Sequence, residues 1–389
     1  MTGTSTNKKL VRITTVPMAL RYLLTGQMQF IKNNGFDVVM ISADGAELKD
    51  VMENEGCRHI IVPMTRTITP FRDLRCLFQL IRTFKKEKPD IVHTHTPKAG
   101  LLGMLAARIC GVKIRIHTVA GLPMMVEHGF KFGLLKLTER ITAASANHVW
   151  PNSNSLLQYI LKHRLSHPKK LQLIGKGSTN GVDTVFFSRG SLDEQVLHSL
   201  KTTISYSPQN KYLLFIGRLV NDKGIVELVN VFNSLVLNHP ELKLILVGGY
   251  EPSLDPLPEN TVKEIENNSS IIHINWTDDV KYFMFLADYF IFPSHREGFP
   301  NVLLQAGAML LPVICSRIAG NIDMVTHGET GLIFDCGNEL QLKDAVELAI
   351  ADPAGMQKMA IRLQVQINEN YRRENIWQNL LEAYKSLLN

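Results

Sequence analysis

Residues 293–312 carry a carboxylate between a predicted strand and a predicted helix. The predicted strand ends just before Pro293, and the polar turn after it contains Glu297. We expect a helix to begin at about Pro300. Proline is tolerated in the first helical turn because its missing N–H would have no partner there. A strand, a polar turn and a helix N-terminus form the arrangement that holds anionic ligands in α/β proteins. Glu297 would repel phosphate, so we interpret it as an acceptor for sugar-like hydroxyl groups beside a phosphate.

Two cations lie on one short loop in residues 215–224. Arg218 and Lys223 follow a predicted strand, with Gly217 before them and Gly224 after them. Arginine suits bidentate phosphate contact, and lysine neutralises charge at a point. A diphosphate leaving group needs neutralisation of this kind. The alternative is ordinary surface charge at a strand end.

A pair of glycines, Gly248 and Gly249, ends another predicted strand. Glycine allows the backbone to approach a ligand closely. Taken alone, the pair is a weak signal, since most such pairs of glycines are merely turns.

Histidines follow two predicted strands in the first half of the chain. His93 and His95 alternate along one strand and therefore share a face, and Lys98 comes next. A zinc site would need a third ligand, and no neighbouring motif supplies one. His95 and Lys98 either contact substrate at the strand end or pack in the interior. His117 and Gly121 at the end of a second strand leave the same two alternatives.

Composition describes an ordinary globular protein. The chain has 389 residues, 45% hydrophobic and 20% charged, which predicts two domains. Five scattered cysteines without a C-x-x-C pair favour a reducing cytosol over a disulfide framework. The polar N-terminus does not look like a secretory signal, and no apolar run reaches the length of a membrane span.

The net charge of +6 is concentrated in the basic segment 58–88. Apolar residues interleaved with these bases predict an amphipathic helix at about 73–86. Such a helix either lies on anionic lipid or packs on a sheet with a solvated basic face. No motif for nucleic-acid recognition accompanies the charge, so nucleic acid is not an expected partner.

Strand-like and helical segments alternate twice along the chain, which predicts an α/β fold with parallel β-α-β units. We predict helices at about 20–33, 99–110, 224–237, 279–286, 302–310, 340–350 and 375–388. The predicted strands are 10–15, 38–42, 60–63, 91–95, 114–119 and 148–151 in the first half, and 212–216, 242–247, 271–274, 289–292, 312–315 and 331–334 in the second.

Three common enzyme signatures are missing from the sequence. There is no G-x-x-x-x-G-K-[ST], which excludes a P-loop NTPase, and no G-x-G-x-x-G after the first strand, which disfavours a dinucleotide dehydrogenase. The commonest serine hydrolase motif, G-x-S-x-G, is missing as well.

Several blocks in a fixed order resemble the retaining glycosyltransferases of family 4, which have the GT-B fold. The resemblance covers nearly the whole chain and is closest to bacterial enzymes of capsule, O-antigen and lipid-linked oligosaccharide assembly. The blocks are 90–95, 97–100, 151–153, 180–183, Arg218 with Lys223, Gly248 with Gly249, 293–305 and 328–333.

The resemblance implies two Rossmann-like domains whose parallel sheets face an interdomain cleft. Residues 1–187 would form an acceptor-binding domain and residues 188–374 a nucleotide-sugar-binding domain. A last helix, about 375–389, would belong to either of them.

The resemblance also implies roles for particular residues. Arg218 and Lys223 would hold the diphosphate and Glu297 the hydroxyls of the reacting sugar, and these three are the predicted catalytic residues. The expected donor site comprises Gly217, Arg218, Lys223, Gly249, Glu297, Gly298, Phe299, Asn301, Val302 and Gln305. The expected acceptor or cleft residues are His95, Lys98, His117 and Gly121.

The chain departs from the family pattern at several positions. Gln305 stands where the family has a second glutamate for the ribose hydroxyls; its carbonyl can still accept a hydrogen bond. Asp323 replaces a usual glutamate, and residues 16–18 replace a usual pair of glycines. Ala120 replaces a frequent histidine, and we do not transfer that role to His117.

The sequence therefore predicts a glycosyltransferase that moves a sugar from a nucleotide-sugar, UDP-linked, to a lipid-linked saccharide. The resemblance implies retention at the anomeric carbon, with no metal and no cofactor. We expect a cytoplasmic enzyme at the inner face of the inner membrane, with peripheral membrane contact through segment 58–88. The alternatives are a nucleotide-sugar epimerase of the same architecture and a non-catalytic partner subunit that keeps the fold.

Overall fold

The computed structural model describes residues 7–252 and 255–389 and divides the chain into two compact units. The first unit contains the residues up to Gly181 together with Arg373–Asn389, and the second is Val182–Arg372. The contact boundary thus lies between 181 and 182, whereas the sequence prediction placed it between 187 and 188. The chain leaves the first unit, builds the second, and returns.

The strands of each unit form one parallel sheet, as predicted. All twelve predicted strands are present, with ends that differ by two residues at most. They are β1 (Lys8–Ile13), β2 (Phe36–Ser42), β3 (Arg58–Ile61), β4 (Ile91–Thr94), β5 (Ile114–Val119), β6 (His148–Pro151), β7 (Lys211–Ile216), β8 (Leu242–Val247), β9 (Ile271–Ile274), β10 (Tyr289–Phe292), β11 (Val313–Ser316) and β12 (Leu332–Phe334).

The α-helices of the described residues number fifteen, and most of them connect consecutive strands. They are α1 (Pro17–Leu23), α2 (Gln27–Asn33), α3 (Leu48–Glu55), α4 (Pro70–Glu87), α5 (Pro97–Ile109), α6 (Gly129–Ser145), α7 (Asn154–Lys162), α8 (Glu194–Thr203), α9 (Ile225–Val236), α10 (Glu259–Asn267), α11 (Val280–Leu286), α12 (Asn301–Ala308), α13 (Glu339–Ala351), α14 (Pro353–Asn370) and α15 (Arg373–Leu388). Among the described residues, no helix has the length and apolar character needed to cross a bilayer.

Both sheets have the same strand order. The first runs β3-β2-β1-β4-β5-β6, and the second runs β12-β11-β10-β7-β8-β9, which is the equivalent order read from its other edge. In each sheet the order reverses between the first and fourth strands, β1 and β4 in one and β7 and β10 in the other. Ligands of doubly wound sheets bind beyond the carboxyl ends of the strands at this switch point.

Each sheet is covered on both faces because its strands are apolar on both sides. Within β1, Leu10 belongs to the core beneath α2 and α15, whereas Val11 belongs to the core shared with α4 and α5. This alternation follows from the two-residue period of a strand. The second sheet has one continuous core of its own.

One helix prediction was wrong. The single helix expected at 20–33 is two helices, because Gly26 has a left-handed φ of 78° and caps α2. Its N–H, with that of Gln29, donates to the buried carboxylate of Glu55 on α3. Helices α3, α6, α7, α10 and α14 were not among the predicted helices. Helix α12 begins one residue later than expected, with Pro300 as its N-cap.

Candidate active site

The loops that follow β7 and β8 are joined backbone to backbone. The N–H of Gly217 donates to Val247 over 2.9 Å, and the N–H of Leu219 donates to Gly249 over 2.9 Å. Gly248 has a φ of 146°, and a Cβ there would lie 1.9 Å from the carbonyl oxygen of Gly217. Only glycine fits at this crossing. The predicted glycine positions therefore fix the path of the loop that carries Arg218.

The guanidinium of Arg218 forms an ion pair with Glu251, which lies in the loop after β8. The side chain of Arg218 is 37% exposed, so it is accessible to a ligand. A phosphate that binds Arg218 would compete with Glu251 for the same N–H donors. Sequence reasoning missed Glu251, although its position two residues after Gly249 was a usable signal.

Lys223 and Glu297 meet at the switch point of the second sheet. The ammonium of Lys223 donates to Oε1 of Glu297, and the hydroxyl of Ser294 donates to the same oxygen over 3.0 Å. Both charged side chains are largely shielded, at 14% and 17% exposure. The other oxygen of Glu297, Oε2, accepts no hydrogen bond from any residue in the described part of the chain. One oxygen is thus held in place while the other can accept from a ligand hydroxyl.

The loop after β7 and the loop after β10 are in direct contact. Gly224 has a φ of 70°, and a Cβ there would lie 2.3 Å from the carbonyl oxygen of Pro293. The backbone of Asp222 accepts from the N–H of His295 over 2.8 Å, and its carboxylate pairs with Arg296 at 2.8 Å. These contacts bring Lys223 and Glu297 together, and they involve residues that sequence reasoning did not select.

A second ion pair braces the same region. His295 Nε2 lies 2.7 Å from Oε1 of Glu227 on α9. The hydrogen bond with Glu227 raises the pKa of His295, against the opposing effect of burial. Burial is the largest single effect on Glu227 and acts to raise its pKa, but the hydrogen bond from His295, a backbone hydrogen bond and the charge of His295 together lower the net pKa. Both shifts favour the charged pair, which ties α9 to the loop that carries Glu297.

The remaining predicted donor-site residues lie at the start of α12. Gly298 is buried and faces Gly320. A Cβ added to Gly320 would lie 2.6 Å from the carbonyl oxygen of Gly298. Phe299 packs on Tyr371 with ring centroids 5.2 Å apart. Asn301 and Val302 are the first two residues of the helix, and both are half-buried.

Gln305 lies one turn further along α12 and is half-buried. Within the described residues its side-chain amide makes no hydrogen bond, so both its oxygen and its nitrogen are available to a ligand. An amide here can accept from one hydroxyl and donate to another group.

His95 lines a small cavity in the first unit, of about 30 Å³. Its ring stacks near that of His93, with centroids 4.1 Å apart, and neither ring nitrogen has a hydrogen-bond partner among the described residues. Burial holds the pKa of His95 well below the ordinary value, so the imidazole is neutral. Trp150 Nε1 and Asn152 Oδ1, which line the same cavity, are likewise unpaired within that part of the chain. The cavity is lined by both polar and apolar side chains and is smaller than a sugar ring.

The other predicted acceptor residues have structural partners. His117 is buried, with Nδ1 2.8 Å from the hydroxyl of Thr94, and its ring packs where a Cβ on Gly100 would clash at 2.4 Å. It lies between β4 and α5 and contacts no open surface. Of the two alternatives, substrate contact and interior packing, the structure therefore favours packing for His117. Lys98 pairs with Asp73 over 2.7 Å. Gly121 lies two residues after β5, has a φ of 146° and is half-buried.

The structure thus groups Gly217, Lys223, Gly249 and Glu297 with their neighbours at the carboxyl ends of β7, β8 and β10. His95, Lys98, His117 and Gly121 belong to the first unit and do not form one cluster. Among residues 7–252 and 255–389, no group of three or more histidine, cysteine or acidic side chains is placed to hold a metal ion.

Two family models match the chain, one in each unit. The description "Glycosyl transferase 4-like" matches residues 12–153, and "Glycosyl transferases group 1" matches residues 204–372. The second match includes the contact between Lys223 and Glu297, and the first includes the carboxyl ends of β4 and β5.

Curated relatives match over most of their length. The capsular polysaccharide biosynthesis glycosyltransferase CapM of Staphylococcus aureus is 34% identical over 386 residues, 98% of each chain. An Escherichia coli enzyme named UDP-Gal:alpha-D-GlcNAc-diphosphoundecaprenol alpha-1,3-galactosyltransferase is 25% identical over 352 residues, 86% of each chain. In fold, the chain resembles a glycosyltransferase structure from Rickettsia africae, with a TM-score of 0.80 at 20% identity over 98% of this chain and 99% of the other.

Proposed function

The chain belongs to the group 1, family 4-like glycosyltransferases of GT-B fold, and on that premise we propose that it transfers a sugar from a UDP-sugar to a lipid-linked saccharide. The sugar is a hexose or an N-acetylhexosamine, and the product is an intermediate of capsule or another surface polysaccharide. The names of the two curated relatives support this choice, since one acts in capsule synthesis and the other on a diphosphoundecaprenol-linked sugar.

The observation that carries the proposal is the contact between Lys223 and Glu297 at the switch point between β7 and β10. Lys223 and Arg218 neutralise the donor diphosphate, which also lies near the N-terminus of α12. Glu297 accepts from hydroxyls of the sugar through its available oxygen, while Lys223 and Ser294 hold the other. A carboxylate beside two cations thus recognises sugar and phosphate together.

Gln305 takes the position that binds the ribose hydroxyls. Its unpaired amide oxygen accepts from one of these hydroxyls, but a neutral acceptor forms a weaker hydrogen bond than a carboxylate does. Gly217 and Gly249 let the backbone approach the nucleotide closely.

The reaction we propose retains the configuration of the anomeric carbon. The acceptor hydroxyl oxygen forms a bond to that carbon on the face from which the diphosphate leaves, and the bond from the carbon to the phosphate oxygen breaks. The proton of the hydroxyl passes to the leaving phosphate oxygen, and UDP is released. The protein contributes positioning and charge stabilisation of the developing diphosphate, with neither metal nor cofactor.

The acceptor is assigned to the first unit. His95 remains the best candidate there, since its ring nitrogens are unpaired in the described chain and lie in a cavity beside the unpaired polar atoms of Trp150 and Asn152. The cavity is large enough for a hydroxyl group or a water molecule but not for a whole ring. A lipid-linked acceptor places the enzyme at a membrane surface, and we assign it to the cytoplasmic face of the inner membrane, with contact through segment 58–88.

The test is a product assay with the full chain, a set of UDP-hexoses and UDP-N-acetylhexosamines, and a diphosphoundecaprenol-linked monosaccharide. We expect UDP release together with a lipid product that is one sugar longer. The anomeric configuration of that product, read by NMR, tests retention, and unchanged activity after chelator treatment tests metal independence.

Two outcomes would contradict the proposal. Conversion of the UDP-sugar to an epimer without any acceptor would indicate a nucleotide-sugar epimerase. Failure to bind any UDP-sugar would indicate a non-catalytic subunit, for which Gln305 and Ala120 are the features in favour.

A further inference from the structure

Helix α4 has two apolar faces, and only one of them is buried. Cys76, Leu80 and Phe84, four residues apart, pack into the core of the first unit. Phe71 and Phe78 are exposed, with Phe71 exposed to 89%. Two residues along a helix are roughly 200° apart, so Phe78 points away from Leu80 and from the core.

The exposed face of α4 is apolar at one end and basic at the other. Leu74 is also exposed and lies on the same side as Phe71 and Phe78, at the helical spacing of three and four residues. Arg82 and Lys85 continue this face toward the C-terminus of the helix, Arg75 lies beside Leu74, and all three basic residues are exposed. The helix therefore presents aromatic rings and cations to the same side.

Helix α6 carries a second exposed apolar stripe, which the sequence analysis did not select. Phe130, Leu134, Leu137 and Ile141 are spaced by four, three and four residues, and all are exposed. Phe130 is 88% exposed. Within α6, Glu139, Thr142 and Ala143 are buried instead. A run of four large apolar side chains on one solvent-facing line is unusual for a surface helix.

The two stripes belong to one layer of helices. Helix α5 lies between α4 and α6 and contacts both. All three helices contribute to the same core on one face of the first sheet, through residues such as Leu80, Leu102 and Ala143. Their outer faces therefore form one surface, and exposed Ile109 at the end of α5 adds to it.

Both outer helices are held rigidly in this layer. Lys98 at the start of α5 pairs with Asp73 in the first turn of α4 over 2.7 Å. At the other side, Lys170 caps the C-terminus of α6 by donating to Ala143 over 2.9 Å and to Ala146 over 2.7 Å. The surface is thus preformed.

The charge around this surface is basic. The acidic side chains on α4 and α6 are engaged or buried: Asp73 pairs with Lys98, Glu87 with Lys9 and Arg58, and Glu139 is buried. The basic residues of α4 and α6 are Arg72, Arg75, Arg82, Lys85, Lys86, Lys131, Lys136 and Arg140. Exposed aromatic and aliphatic side chains surrounded by arginine and lysine fit a surface with an acyl interior and anionic headgroups.

We propose that the outer faces of α4 and α6 form a two-stripe docking surface for an anionic lipid bilayer. Phe71, Phe78 and Phe130 insert at the boundary between headgroups and acyl chains, and the bases contact lipid phosphates. The inference rests on the proposed membrane location and adds α6 to the predicted contact of segment 58–88.

The experiment is flotation of the full chain with vesicles of phosphatidylcholine alone and of phosphatidylcholine with phosphatidylglycerol, free of any saccharide. We expect binding to the anionic vesicles only. The double variant Phe71→Ala/Phe78→Ala should weaken this binding at least about tenfold, because each ring removes much apolar burial. Phe130→Ala/Leu137→Ala should weaken it comparably, and Arg75→Glu/Arg82→Glu by more than about twentyfold, since each basic residue contributes about fivefold.

The matched control is Leu237→Ala in the second unit, which removes an apolar side chain of similar exposure, 82%. It should bind vesicles like the wild type. The four α4 and α6 hydrophobic side chains changed here are exposed, so transfer to a water-soluble acceptor analogue should stay unchanged and reports on the proposed function separately.

Three outcomes would overturn the inference. They are no binding of the wild type to either vesicle, equal binding to neutral and anionic vesicles, or an unchanged affinity of the Phe130→Ala/Leu137→Ala variant. A weakened affinity in both α4 and α6 variants with normal transfer in solution would support it.

Discussion

At the scale of single residues, the shared contact of Lys223 and Glu297 is the centre of the proposed donor site. We expect Glu297→Ala and Lys223→Ala each to reduce kcat by about a hundredfold or more, because preorganised charges near the diphosphate and the sugar are lost. The measurement is steady-state transfer with the preferred UDP-sugar, together with a thermal unfolding curve for each variant. The control is Arg317→Ala, which breaks the exposed pair with Asp335 and should leave kcat unchanged.

The double variant sharpens this expectation. Since Lys223 and Glu297 position each other, the double substitution should cost less than the product of the two single losses. A folded Glu297→Ala variant with near-normal kcat would remove the site assignment.

Single residues also show how much of the candidate site could be predicted from the sequence. Arg218, Lys223 and Glu297 were selected from their types and their places after strands, and the structure puts them at neighbouring strand ends. Their partners were not selected, because Glu251 and Ser294 become partners only through the loops that bring β7, β8 and β10 together. His117 was selected for its residue type as an acceptor-site candidate, but it is buried beneath α5. That burial depends on the tertiary packing, which the local sequence does not show.

At the scale of elements, the pair of His295 and Glu227 gives a pH-dependent link between α9 and the loop before α12. The pKa of His295 is raised on folding, so its stabilising contribution is present below its ordinary value near 6.5 and is lost as the pH rises through the folded pKa. The pKa of Glu227 is lowered, so its contribution is present above its ordinary value near 4.5 and is lost as the pH falls through the folded pKa.

The pair should therefore stabilise the protein most near pH 6. We expect His295→Ala to lower the free energy of unfolding by roughly 1 kcal/mol at pH 6 and by less at pH 9, since the stabilisation declines as the pH rises through the folded pKa. Denaturant unfolding at the two pH values measures this, with His239→Ala as a control for a similarly exposed histidine that lies farther, 3.5 Å, from its nearest carboxylate oxygen. A loss that is equal at both pH values would mean that the ion pair does not contribute.

Elements were the level at which sequence reasoning worked best. Short apolar runs flanked by turns are a strong signal for buried parallel strands, and this signal gave all twelve. The break between α1 and α2 was missed because it depends on Glu55, which lies 29 residues after Gly26 and binds its N–H. Helix α14 was missed although its buried residues, Met356, Ala360, Leu363 and Ile367, recur at the helical spacing of four, three and four residues.

At the scale of the whole molecule, the chain completes its first unit with its last helix. Tyr384 on α15 is fully buried, and burial raises the pKa of its hydroxyl to about 12, so it stays protonated. The hydroxyl accepts from Arg12 over 2.7 Å and forms a second hydrogen bond with Nδ1 of His93. His93 in turn bonds Thr118 over 2.7 Å. No local pattern could have predicted that residues 372 positions apart share one buried network.

The role of this network makes truncation informative. Removal of residues 373–389 should unfold the first unit, because Arg12 and His93 would lose a buried partner and the core beneath α15 would be exposed. The second unit, Val182–Arg372, has its own core and should keep its amide protection in hydrogen exchange.

The variant Tyr384→Phe is a smaller change, because it removes only the hydroxyl group. It should lower the free energy of unfolding by about 1–3 kcal/mol, and Ser386→Ala is an exposed control on the same helix. Loss of exchange protection in both units after truncation would contradict their independence, and a Tyr384→Phe variant as stable as the wild type would contradict the importance of the hydroxyl. If both expectations hold, the first unit is stable only once the last helix of the chain has returned to it.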